Sequence, residues 1–64
     1  MNKNTKMMLM SEYGFKYSEI ARALNVSRAA VHKWMTIDNC FPISRAKQIE
    51  ELTNKRIKIE DLTK

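Results

Sequence analysis

Glycine, proline, cysteine, histidine and tryptophan each occur once in this chain of 64 residues, and each scarcity removes a class of function. With Gly14 alone, no glycine-rich loop can cradle a nucleotide phosphate. With Cys40 alone, there is no internal disulfide and no second thiolate for a metal site. Cys40 therefore reads as a small, partly buried apolar side chain in a reducing compartment, expected to be the cytoplasm. His32 has no acid or nucleophile spaced to act with it. Neither an enzyme activity nor a metal or other cofactor is expected. No apolar run approaches the ~20 residues of a membrane span, and the cluster Met7–Met10 is too short for a signal peptide.

What the chain does have is positive charge, unevenly placed. The net charge is +5. Residues 1–48 hold eight Lys or Arg against three acids, whereas residues 49–64 hold four of each. The basic excess thus belongs to the first three quarters and favours a polyanionic partner there. A chain this short makes one domain, residues 1–64, and buries only ~60% of the surface its unfolded form exposes. Every large apolar residue is therefore expected to be used in the core, although Met7, Met8 and Met10, as adaptable filler, need not all be buried. No roomy active-site cleft is expected.

The stretch Ser18 to Trp34, SEIARALNVSRAAVHKW, organises the rest. At ~100° per residue, Ile20, Ala21 and Leu24 share one side of a first helix. Ala30, Val31, Trp34 and Met35 share one side of a second, and Arg28, Ala29, His32, Lys33 and Thr36 lie opposite. Between them Asn25 tolerates positive φ, Val26 is an apolar plug and Ser27 is a helix N-cap. This ordering resembles the helix-turn-helix of DNA-binding proteins, here about residues 17–36, with Ala21 at the close helix crossing and Asn25 where that family usually has Gly. A bare amphipathic hairpin explains the apolar positions equally well, but not the cluster Arg28, His32 and Lys33 facing away from them.

The flanks also read as helices. Met1 to Lys6 is a polar end expected to fray. Leu9, Met10 and Tyr13 then form a helical pattern closed by Gly14, with Phe15 folding back on Met10. Glu19 suits the first turn of the second helix and is expected to pair with Arg22. Pro42 opens a fourth helix with an apolar stripe at Ile43, Ala46, Ile49 and Leu52, ending near Asn54. For Arg56 to Leu62 an edge strand competes with a short helix at Ile59–Leu62; the helix is favoured because no partner strand is visible.

The order FPISRAKQIEELTNKRIKIEDL resembles the latter half of small Cro-like repressors of temperate phages and related bacterial elements. The resemblance covers about residues 8–62 and implies an all-α domain of four or five helices. It also implies a sequence-specific repressor, often a dimer on a palindromic operator. Carried over to this chain, the base-reading positions of the recognition helix, about 27–36, fall on Arg28, Ala29, His32 and Lys33. The chemistry agrees: an arginine can fork onto guanine O6 and N7, and an alanine methyl suits the thymine methyl. Tyr17 and Ser18 match backbone-gripping positions, Ser27 adds a hydroxyl beside free N–H groups, and Ser44 and Arg45 would meet the other flank of the groove. Lys6, Lys16 and Lys47 are weaker candidates. Trp34 is expected as a core anchor. The expected partner is a double-stranded DNA operator, bound as a homodimer that is weak or monomeric in free solution. The alternative is a protein-interaction module, such as an antitoxin whose partner covers the apolar residues near Ile57 and Leu62.

Overall fold

Asn2 opens the first helix. Its side-chain oxygen accepts the Thr5 N–H at 2.8 Å, satisfying one of the donors that a helix start leaves free. In the computed structural model, which describes residues 1–64, five α-helices follow in order. They are α1 (Lys3–Glu12), α2 (Tyr17–Leu24), α3 (Arg28–His32), α4 (Ile43–Leu52) and α5 (Ile59–Leu62). There is no strand, so the ambiguity over residues 55–62 resolves as a helix. None of the helices is long and apolar enough to cross a membrane.

The helix ends repeat one device. The N–H of Phe15 bonds the Met10 carbonyl at 2.7 Å, Val26 bonds Ala21 at 3.0 Å, and Lys55 bonds Glu50 at 2.8 Å. Each such six-residue closure needs a left-handed residue just before its donor. Gly14, Asn25 and Asn54 supply it, at φ 65°, 57° and 53°. In two of the three turns the donor itself is also left-handed: Phe15 at 60° and Lys55 at 64°. For residues with a Cβ that conformation costs roughly 1–2 kcal/mol.

The sequence predicts one helix from Arg28 to Thr36 or Ile37, and the helical backbone does run that far. After His32, however, it continues as a π-helical turn, Lys33–Ile37, in which the Asp38 N–H reaches back five residues to the Lys33 carbonyl at 2.9 Å. Val31 and Met35 are both buried and Trp34 packs beside them, its ring 5.4 Å from that of Phe41.

Leu9, Ile20, Leu24, Val31, Ala46, Ile49 and Leu62 are fully buried and join all five helices in one core. Burying a Leu or Ile side chain completely is worth about 1.5–3 kcal/mol. The expectation that every large apolar residue is used is nonetheless wrong. Phe15, Ile37, Ile43 and Leu52 are exposed, as are Met7 and Met8, which as adaptable filler are not all required in the core. Helix geometry explains two of these. Around α4, Ile43 and Leu52 lie ~90° to either side of the line midway between Ala46 and Ile49, so only the centre of the stripe meets the core. Phe15 is exposed too, at a left-handed position just past the end of α1, and lines one cleft together with Met10. The expected Glu19–Arg22 pair is absent; the ion pairs are Lys33–Asp38 and Arg56–Glu12.

The chain ends are held, not frayed. Met1 is buried, its amino group donates to the carbonyls of Asn39 (2.6 Å) and Lys64, and its own carbonyl accepts from the Asn39 side chain. A four-residue helix has no stability of its own, and α5 persists through tertiary bonds. Glu50 accepts the Ile59 N–H at 3.1 Å, and Leu62 accepts the Phe41 N–H at 2.8 Å. Buried Thr53 donates to Ile49 at 2.8 Å and accepts from Ile57 at 3.3 Å. No buried side-chain polar atom lacks a partner.

Candidate nucleic-acid interface

Ser27 begins α3 where the sequence places its cap: the hydroxyl accepts the Ala30 N–H at 3.1 Å. Arg28 is then the first helical residue, and its side chain leaves the helix beside the free N–H groups of that end. α2 starts at Tyr17, after the extended Lys16. The two helices pack together across the left-handed turn at Asn25, so their N-terminal ends line one open cleft of about 770 Å³. Tyr17 and Ser18 stand on one side, with Arg28, Ala29 and His32 on the other. The Tyr17 and His32 rings meet edge to face at 5.9 Å between centroids, which couples the two walls.

The lining is completed by Met10, Phe15 and Lys16. It holds the cations Lys16 and Arg28 and no acidic side chain. Arg28 and Lys16 belong to neither ion pair, so their charge is not cancelled within the fold. Such a cleft attracts an anion and offers it hydroxyl and ring N–H donors.

Of the residues singled out in sequence, Tyr17, Ser18, Arg28, Ala29 and His32 come together here, and Lys33, Ser27, Ser44 and Arg45 do not line the cleft. Lys33 begins the π-helical turn and pairs with Asp38 at 3.7 Å. Both side chains are exposed, and such a pair is worth at most about 1 kcal/mol. Ser44 is exposed in the first turn of α4. Arg45 is half-buried, and one of its guanidinium nitrogens donates to the Leu24 carbonyl at 3.1 Å and to Gln48 Oε1 at 2.7 Å. It ties α4 to the C-terminal end of α2.

Met10 and Phe15 were missed as lining residues. Phe15 carried no signal, because an apolar residue directly after a helix-ending glycine commonly packs back on the helix it follows. Met10 carried none, since a methionine on an amphipathic helix is ordinary core filler.

The rest of the surface has no comparable arrangement. His, Cys, Asp and Glu form no group of three that could hold a metal ion. The Tyr13 phenol is held above its ordinary pKa, first by burial and then by the neighbouring Glu12 carboxylate, and it lies outside the cleft.

Comparison with known proteins adds one relation. No curated protein matches the chain, and no solved structure does. The model of one family, described as bacterial toxin YdaS, matches residues 14–64. The match begins at the glycine that ends α1 and takes in α2, the turn, α3, α4 and α5. On that match, the chain belongs to the bacterial toxin YdaS family.

Proposed function

We propose that this protein is a sequence-specific double-stranded DNA-binding repressor of Cro-like type, with α3 in the major groove. The observation that carries this reading is the cleft. Five residues chosen in sequence for DNA contact converge on it, with two cations free of internal partners and no acid among them. Arg28, Ala29 and His32 read base edges, with Lys33 further along the same helix. Tyr17 and Ser18 hold a phosphate beside them, supported by Ser27. Ser44 and Arg45 flank the groove from α4, with Arg45 also serving the fold through its bond to Leu24.

Two copies occupy one operator, and the protein is monomeric or weakly paired without DNA. The operator is then an approximate palindrome with half-site centres about 10 base pairs apart. The chain acts by occupying a site, without a catalytic step.

The alternative interaction surface near Ile57 and Leu62 is not open to a partner, because both residues are buried in the core.

The test is selection of preferred duplexes from a random pool, followed by titration against selected and random duplexes at several salt concentrations. The expected result is a selected palindrome bound at least ~10³-fold more tightly than random duplex. Binding without discrimination would reduce the protein to a basic surface. A selected site without inverted symmetry would overturn the paired arrangement.

A further inference from the structure

We infer that Phe15 is a DNA-contacting residue, whose ring packs against the deoxyribose of the strand gripped by Tyr17 and Ser18. The inference rests on the duplex-binding reading above. Phe15 occupies a left-handed backbone position, at φ 60°, that glycine and asparagine adopt most readily. Its side chain gains little from the fold, because the residue is 61% exposed.

The turn itself does not ask for an aromatic. The same pair of successive left-handed residues closes α4 as Asn54–Lys55, and there the second residue is an exposed lysine. The other exposed large apolar residues, Met7, Met8, Ile37, Ile43 and Leu52, differ on both counts. None has a left-handed backbone, and none lines the cleft. Phe15 alone combines a bulky side chain at a strained position with exposure inside the cationic cleft. The turn uses only the backbone of Phe15, through its N–H bond to Met10, and leaves the ring free for a partner.

The chemistry of the lining selects that partner. Lys16 follows Phe15 directly, Arg28 stands across the cleft, and no acid lines it. Whatever covers the ring is therefore anionic with apolar surface between its charges. The deoxyribose–phosphate backbone has that alternation, and its sugars are the apolar part. An uncharged contact of this kind adds affinity on every sequence and leaves the count of phosphate contacts unchanged.

The experiment compares wild type with Phe15→Gly and Phe15→Asn, by thermal melting and by titration on selected and random duplexes at two salt concentrations. Both variants remove the ring and place at position 15 a residue that tolerates the left-handed backbone. They are expected to melt at or above the wild-type temperature. They are also expected to bind both duplexes about five-fold more weakly, the loss that follows when roughly half a phenyl ring is no longer buried. The salt slope should stay as in wild type. Unchanged affinity in both variants, alongside a discriminating wild type, overturns this inference alone. A loss of affinity that follows a fall in melting temperature, or that comes with a shallower salt slope, also overturns it, since the ring would then be organising the fold or the lysines. Failure of the wild type to bind duplex overturns the DNA reading and this inference together.

Discussion

The tripeptide Ser-Arg-Ala occurs twice, at residues 27–29 and at 44–46, each time at the start of a helix. The two copies have opposite fates. At α3 the serine is the cap, its hydroxyl accepting the Ala30 N–H, the arginine stands in the cleft lining, and Ala29 is exposed. At α4 the Pro42 carbonyl accepts the first helical bonds instead, from Arg45 and Ala46 at 3.0 and 2.9 Å. Ser44 therefore lies inside the helix, Arg45 bonds Leu24 and Gln48, and Ala46 is fully buried. The physical difference is where each helix begins. Arg28 is the first helical residue and Arg45 the third, which turns the side chain by about 200° around the axis. Arg28 and Ala29 thus line an open cleft, whereas Arg45 bonds the end of α2 and Ala46 enters the core.

The alanines should break the comparison most sharply. Ala46→Asp puts an unpaired carboxylate into the core and should cost about 3–5 kcal/mol, enough to unfold a domain of this size. Ala29→Asp should stay within ~0.5 kcal/mol of wild type in stability, yet lose duplex binding through repulsion from phosphate. Circular-dichroism melts and a duplex titration decide it, and equal destabilisation by the two substitutions would mean that α3 is not the free helix face.

The arginines come next. Arg45→Ala should lower stability by about 1.5–3 kcal/mol, because the part-buried Leu24 carbonyl loses a charged donor. Arg28→Ala should leave the melt unchanged. Under the proposed function it should cost about 1–3 kcal/mol on the selected duplex and relax preference at one position in each half-site. An Arg28→Ala protein that still discriminates fully would remove Arg28 from base reading.

The smallest effect belongs to the serines. Ser27→Ala should cost about 1 kcal/mol through loss of the cap, while Ser44→Ala should cost under ~0.5 kcal/mol. Chemical denaturation with a common slope for the three proteins measures the difference. Equal costs would mean that the cap geometry at Ser27 contributes no more than an ordinary surface hydroxyl.

Much of the molecule was legible before folding because local chemistry decides it. Asn25 in the left-handed region, Ser27 as a cap and α2 from Tyr17 follow from turn residues, capping residues and periodicity within a few positions. The buried set Ile20, Leu24, Val31, Ala46 and Ile49 follows from the spacing of apolar residues on single helices. Tyr17, Ser18, Arg28, Ala29 and His32 come to one cleft because a short turn joins α2 and α3, although no roomy cleft is expected from a chain this short. Tertiary structure alone decided the rest. Arg45 meets Leu24 only because α4 packs on the end of α2, across 21 positions of chain. Ile43 and Leu52 stay outside because the core reaches only the middle of their stripe. Phe15 becomes part of the cleft only when the end of α1 is laid beside the starts of α2 and α3. Periodicity and capping act over three or four residues, whereas these contacts join elements whose separation in sequence carries no information about their distance in space.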